Sequence, residues 1–134
     1  MSSQKVWAED GTSIPFTKRL MLRVAIGATG APGAYTDKWG FGATPLTRTG
    51  VGVYTVALGD RYVGGLTGYA ANTIQSTIAA GDGVAGIVTA DNSNASPPTL
   101  TITMIASNTG VAGEIRNGAT LLMELAFKDS AAVI

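Results

Sequence analysis

Hydrophobic and polar residues alternate one by one in several short stretches of this chain, a period typical of half-buried β-strands. The alternation is clearest in residues 20–26, 99–104 and 120–128. In each stretch one face is apolar and is therefore predicted to lie in a core, while the other carries polar or smaller side chains. The predicted core positions are Leu20, Leu22, Val24, Ile26, Leu100, Ile102, Met104, Leu121, Met123, Leu125 and Phe127.

Residues 47–58 (TRTGVGVYTVAL) predict a strand that enters at Leu46, a kink or tight turn at residues 50–52, and a strand that leaves through Leu58. Residues 53–56 are all strand formers, whereas Gly50 and Gly52 interrupt the run just before them. We expect the strand that leaves through Leu58 to place Val56 in the core.

Glycine-rich segments separate these strands and predict loops or weaker elements. Residues 27–35 (GATGAPGAY) hold three Gly-X-Y triplets, far too few for a collagen helix, and predict a loop. Residues 37–41 predict a short edge segment, and residues 84–89 a weak strand. Residues 61–78 contain short β-prone pieces, for which a loop or a helical turn is also open. Residues 107–118 predict a second long loop.

No stretch has the period of a useful amphipathic helix, and short strands between glycine-rich turns are typical of sandwiches and barrels. The sequence therefore predicts an all-β protein: an antiparallel β-sandwich of about eight strands, jelly-roll-like, with an extended N-terminal arm. The predicted boundaries are residues 1–19 for the arm, 20–130 for a single domain and 131–134 for a C-terminal tail. A chain of this length buries roughly two-thirds of its unfolded surface, so such a domain needs no disulfide.

Composition argues against most familiar catalytic and metal-binding chemistry. The chain has no cysteine, and therefore no thiol nucleophile or thiolate metal ligand. It also has no histidine, the commonest general base and metal ligand. Nine basic and nine acidic residues give zero net charge, without the basic patch of a nucleic-acid binder. No apolar run approaches the ~20 residues of a membrane span, and the N-terminus lacks a signal-peptide core. We therefore expect no enzyme activity, cofactor, nucleic acid or membrane partner, and synthesis in the cytoplasm.

Acidic residues give only weak signals of chemistry. Residues 91–96 (DNSNAS) resemble the start of a calcium loop but lack its glycine and its distal glutamate, so no metal site is predicted. Glu9 and Asp10 form the only adjacent acidic pair. The other carboxylates are isolated and mostly fall in turns, which does not favour a catalytic pair.

Hydroxyl and aromatic side chains leave two alternatives open. The threonines at 99, 101 and 103, with Thr120 predicted nearby, form either a hydroxyl surface for sugar or protein contact or an ordinary solvated sheet face. The tyrosines at 54, 62 and 69 either stack on a ligand or fill the rim of the core.

The predicted arm contains three large apolar residues, Trp7, Ile14 and Phe16, which a purely disordered tail rarely contains. These side chains are expected either to fold back onto their own domain or to contact a neighbouring subunit. Together with Trp39, they are the candidate partner-binding residues.

Two stretches, residues 47–66 (TRTGVGVYTVALGDRYVGGL) and 118–130 (GATLLMELAFKDS), resemble a family of small structural proteins from the virion gene clusters of tailed bacteriophages. The resemblance implies a capsid decoration, or cement, protein: a β-sandwich on the capsid surface that binds the major capsid protein and ties neighbouring capsomers together. It also implies a homo-oligomer, a dimer or trimer, on the virion.

Two other functions remain as alternatives. One is a ligand- or carbohydrate-binding β-sandwich that uses Trp39, Tyr54 or the threonine surface. The other is a head–tail or tail component of the virion. An enzyme is least favoured because cysteine and histidine are absent.

Overall fold

Two four-stranded antiparallel sheets pack against each other in the computed structural model, which describes residues 17–75 and 84–128. The strands in this part of the chain are β1 (Thr17–Ile26), β2 (Pro32–Asp37), β3 (Phe41–Gly50), β4 (Val53–Leu58), β5 (Leu66–Ile74), β6 (Val84–Asn92), β7 (Thr99–Ala106) and β8 (Thr120–Lys128). Sheet A has the order β2-β1-β8-β5, and sheet B the order β3-β4-β7-β6. The predicted all-β sandwich is confirmed.

The core lies between the sheets and contains every predicted core position. All of them, Val56 included, are at most 3% exposed. Burial alternates residue by residue along β7 and β8, as the sequence pattern predicts. Tyr54 and Tyr62 are also buried, and the Tyr62 ring stacks on Phe127 with the centroids 4.4 Å apart. These two tyrosines therefore belong to the core.

The strand order departs from the jelly-roll detail of the prediction. Three of the six strand pairings join consecutive strands: β1 with β2, β3 with β4, and β6 with β7. A jelly roll passes the chain between its two sheets at nearly every connection. Here the sheets are built from local hairpins, and β8 joins β1 to β5.

Residues 27–35, predicted as a loop, instead form a short 3-10 turn (Ala28–Gly30) and the first part of β2. Residues 27–31 do connect β1 to β2, but the prediction was wrong for residues 32–35, because an edge strand pairs on one side only. It therefore tolerates glycine, and it tolerates a proline at its first residue, where the missing N–H removes no ladder bond. Tyr35 points inward opposite Val24 and packs against the core.

Other strands are longer than predicted. β1 begins at Thr17. Residues 17–19, which the prediction assigned to the arm, are therefore the first three residues of this strand. Phe41 starts β3 rather than ending a separate edge segment. Residues 66–74 form one continuous strand, although their glycine content left a loop or helical turn open. None of the elements described in residues 17–75 and 84–128 is a helix with the length and apolarity to cross a membrane.

Candidate functional site

An ion pair joins β3 to the long loop between β7 and β8. The Arg48 Nε donates to Glu114 Oε1 at 3.0 Å, and a second guanidinium nitrogen bonds the other carboxylate oxygen. The backbone N–H of Gly52 also donates to Glu114 Oε1, at 3.1 Å. The bond with Arg48 is the main reason that the pKa of Glu114 is lowered, and the same bond raises the pKa of Arg48. Glu114 thus holds the loop against the β3–β4 turn.

Tyr54 extends this polar cluster into the core. Its hydroxyl donates to the carbonyl oxygen of Gly30 at 2.6 Å. Burial, reinforced by the nearby Glu114 carboxylate, raises the pKa of Tyr54 to about 12. Gly30 has φ +74°, and a Cβ there would lie 2.5 Å from Glu114 Oε1 and 2.9 Å from the Tyr54 hydroxyl. Tyr54 is therefore a buried structural group, which removes it from the candidate ligand-stacking residues.

Asp91, the first residue of the calcium-like segment, bonds to backbone. One carboxylate oxygen accepts from the N–H of Ser93 at 3.0 Å, and the other accepts from the N–H of Leu66 at 3.1 Å. Burial alone would raise the pKa of Asp91, but the bonds from Ser93 and Leu66 outweigh it and the pKa is lowered. The carboxylate joins the end of β6 to the start of β5. In the described part of the chain, no group of three or more acidic side chains is placed to hold a metal ion.

Two tyrosines tie the edge strands of the two sheets together. The N–H of Leu46 on β3 donates to the hydroxyl of Tyr35 on β2 at 3.2 Å. On the opposite side, the N–H of Val88 on β6 donates to the hydroxyl of Tyr69 on β5 at 3.1 Å. Tyr69 is partly exposed, but its hydroxyl acts within the fold. We call these two contacts the tyrosine clips.

The outer side of sheet B is uncharged. Cross-strand pairing places Thr47, Thr55 and Thr101 in one row, and Val53, Thr103 and Ile87 in the next. We call this surface the threonine face; it comprises Thr47, Val53, Thr55, Ala57, Ala85, Ile87, Thr89, Ala90, Asn92, Thr99, Thr101, Thr103 and Ile105. None of these residues is charged or aromatic.

The threonine face differs from the predicted hydroxyl surface in one member. Thr99, Thr101 and Thr103 do share an outer face, since burial along β7 alternates with their buried neighbours. Thr120, expected near them, lies on β8 in sheet A, paired with Ala25 and Ile74. Its place is taken by Thr89, whose hydroxyl is 3.1 Å from that of Thr103.

The outer side of sheet A, in contrast, is charged and furrowed. Arg19, Arg23 and Glu124 point outward between the buried positions of β1 and β8. Gly68 has no side chain and Ala70 only a methyl group, which leaves room beside Glu124, and three adjoining depressions of about 240, 300 and 450 Å³ meet there. The Arg19–Glu124 pair is 3.9 Å apart and exposed, and such a pair adds little stability.

Trp39 lines the largest of these three depressions. We call this depression the Trp39 groove; it is lined by Thr17, Lys18, Arg19, Met21, Trp39 and Glu124. The indole of Trp39 is 57% exposed in the turn between β2 and β3, and the Trp39 carbonyl accepts from the N–H of Met21 at 3.1 Å. The other candidate partner-binding residues, Trp7, Ile14 and Phe16, lie outside the described residues.

Sequence reasoning missed the cluster around Glu114. Arg48 and Glu114 are 66 positions apart, and no local pattern links them. The uncharged threonine face did leave a signal, because the residues that alternate with the predicted core positions of β4 and β7 contain no Asp, Glu, Lys or Arg. Comparisons with models of protein families, with curated proteins and with solved structures found no match to this chain.

Proposed function

We propose that this protein is a structural subunit that decorates a bacteriophage capsid and attaches to it through the threonine face. The absence of charge on that face is the observation that carries the proposal. Charged residues are depleted at the centres of protein interfaces, because each buried charge must be desolvated. The resemblance of residues 47–66 and 118–130 to phage virion proteins supplies the kind of partner, a capsid surface made of the major capsid protein.

The size of the threonine face suits attachment to a lattice of many copies. Four strands ~4.8 Å apart, over about six residues at ~3.4 Å each, give a face of roughly 400 Å². A standard protein interface buries about 800 Å² on each partner. A dimer or trimer of this protein would present two or three such faces together and raise its apparent affinity without any new kind of contact. Bridging neighbouring capsomers then stabilises the capsid, because the subunit binds only the assembled lattice.

The described polar clusters support a structural role rather than catalysis or sugar binding. Glu114, Asp91 and Tyr54 are each bonded to neighbouring groups of the fold. Sugar sites use aromatic side chains as stacking platforms. The threonine face carries no aromatic residue, and the exposed indole of Trp39 lies beside sheet A.

Placing a charge at the centre of the threonine face tests the proposal. Thr101 pairs with Thr55 on one side and Ala90 on the other, so Thr101→Lys puts an ammonium group where the lattice would exclude water. We expect this variant to lose at least tenfold in co-sedimentation with capsids that lack the subunit. Thr36→Lys, at an exposed position of β2, is the matched control and should bind as the unmodified chain does.

The result is interpretable when both variants keep the melting transition of the unmodified chain. Thr101→Lys binding as tightly as Thr36→Lys would contradict attachment through this face. Failure of the unmodified chain to bind any capsid preparation, together with a shift in melting temperature on adding a soluble glycan, would replace capsid decoration with the carbohydrate-binding alternative.

A further inference from the structure

The Trp39 groove combines apolar surface with positive charge. Trp39 and Met21 are 57% and 45% exposed, and the groove has a volume of about 450 Å³, within the range of ligand clefts. Lys18 and Arg19 line the same groove, against the single carboxylate of Glu124. Two large apolar side chains beside two cations suit an occupant that is itself apolar with an acidic portion.

The segment that precedes Thr17 in the same chain has the composition of such an occupant and is joined covalently to the groove lining. Thr17 is both the first described residue and part of the groove lining. Phe16 is bonded directly to it, and Ile14 is three residues away, at most ~11 Å along an extended chain. Further along the same segment are Glu9 and Asp10, whose charges are opposite to those of Lys18 and Arg19.

We propose that the Trp39 groove is the docking site for Ile14 and Phe16 of the same chain, which cover Trp39 and Met21. Burying these apolar groups together removes them from water, and the short covalent connection makes the effective concentration of the segment high. A neighbouring copy offers the same residues but without this connection. The proposal concerns the free protein and does not depend on capsid attachment.

Tryptophan fluorescence of the full chain tests this proposal. The chain contains two tryptophans, so Trp7→Phe leaves Trp39 as the only one. In that background, Ile14→Ser with Phe16→Ser should move the Trp39 emission to longer wavelength and increase acrylamide quenching at least twofold. The matched control, Val51→Ser with Val111→Ser, changes two exposed apolar residues in the β3–β4 turn and the β7–β8 loop, neither of which lines the groove, and should leave the Trp39 signal unaltered.

Dilution distinguishes the possible occupants. Protection of Trp39 that is independent of protein concentration supports docking within one chain. Protection that disappears on dilution assigns the groove to the segment of a second copy and overturns the proposal. Equal quenching with and without Ile14 and Phe16 overturns it as well.

Hydrogen exchange of the unmodified chain gives a second measurement that needs no change in residues 14–16. Docking predicts slowed amide exchange at Ile14 and Phe16, the two of these residues that carry a backbone N–H. Met21→Glu places a carboxylate in the groove beside Glu124 and should return the exchange to that of an exposed peptide. Fast exchange in the unmodified chain would overturn the proposal even if the serine variant failed to fold.

Discussion

Glu114 shows how one side chain sets the geometry of one end of the sandwich. Its carboxylate accepts from Arg48 on β3 and from the backbone of the β3–β4 turn, while Gly30 passes close enough to exclude any Cβ. A loop of the β7–β8 connection is thereby joined to sheet B by side-chain bonds as well as by packing. Such a bonded carboxylate stabilises the fold.

We expect Glu114→Gln to lower the free energy of unfolding by about 1 kcal/mol, since the amide keeps the shape but loses the charged bonds with Arg48. The expected loss is small for a charged pair because both side chains are partly exposed to water. Urea unfolding measures it. Arg19→Gln, which weakens only the exposed 3.9 Å pair, is the control and should change the unfolding free energy much less.

Acid should destabilise the protein through Glu114 and Asp91. Their pKa values are lowered from 4.5 and 3.8, so the folded state releases these protons more readily than the unfolded chain. The resulting stability is complete above about pH 4.5 and is lost as the pH falls through the lower folded-state pKa values. Glu114→Gln should flatten this part of the profile of melting temperature against pH. A profile as steep as that of the unmodified chain would contradict the assignment.

Tyr54 should make the melting temperature fall at alkaline pH. Its pKa is raised from 10.0 to about 12, so the folded state keeps the phenol protonated while the unfolded chain ionises. The stabilisation is complete below pH 10 and is lost as the pH rises through about 12. Tyr54→Phe should lower the melting temperature at pH 7, because the bond to Gly30 is lost, but should show a smaller further loss between pH 10 and 12. Parallel profiles for the two proteins would contradict this prediction.

At the scale of elements, the tyrosine clips protect the edges of sheet B. β3 and β6 are its edge strands, and unpaired N–H groups on edge strands are sites for pairing with other chains. Tyr35 and Tyr69 each take up one of these N–H groups from the facing sheet. The clips therefore close part of each edge without adding a strand.

We expect Tyr69→Phe to leave the fold intact while exposing the Val88 N–H, so that the variant associates faster on agitation at 37 °C. Light scattering follows the association, and circular dichroism verifies that the β-sheet signal is retained. Tyr35→Phe is the matched variant at the other edge and should act through the Leu46 N–H. Association as slow as that of the unmodified chain in both variants would show that the clips do not protect the edges.

Sequence reasoning succeeded for elements whose signal is local. Alternation with a period of two is visible within residues 99–104 and 120–128, and it identifies their buried sides without any knowledge of partners. It failed for residues 32–35, where glycine and proline predict a loop although one paired edge suffices to form a strand. Pairing across long separations, such as Arg48 with Glu114, follows from the strand order, which no local pattern contains.

The sequence predicted some residues of the candidate surfaces but not the extent of those surfaces. Trp39 was expected to contact a partner, and the structure shows an exposed indole beside a groove. The partner contact itself remains a prediction. The threonines of β7 were expected on one face, but only the cross-strand register shows that the neighbouring strands leave that whole face uncharged. Register depends on long-range pairing, which explains why Thr120 was assigned to the wrong surface.

For the whole molecule, one continuous core joins two sheets whose outer faces differ in charge. The charged side chains of sheet A face water, whereas the threonine face offers no charge to keep copies apart. The chain as a whole also has zero net charge, so long-range repulsion between copies is weak. The same property therefore favours both the attachment that we propose for the threonine face and association between copies.

The shared core predicts that the two sheets unfold together. Leu125 of sheet A and Leu100 of sheet B are each at most 2% exposed and belong to the same cluster of buried residues. Leu125→Ala and Leu100→Ala should each lower the free energy of unfolding by about 2–5 kcal/mol, because each leaves a cavity in the core.

Far-ultraviolet circular dichroism reports on both sheets, and Trp39 fluorescence in a Trp7→Phe background reports on sheet A. The two signals should give coincident urea transitions in both variants. Leu122→Ala, on the outer side of β8, is the matched control and should have a much smaller effect. Separated transitions, with Leu100→Ala leaving the Trp39 midpoint unchanged, would show that each sheet is stable without the other.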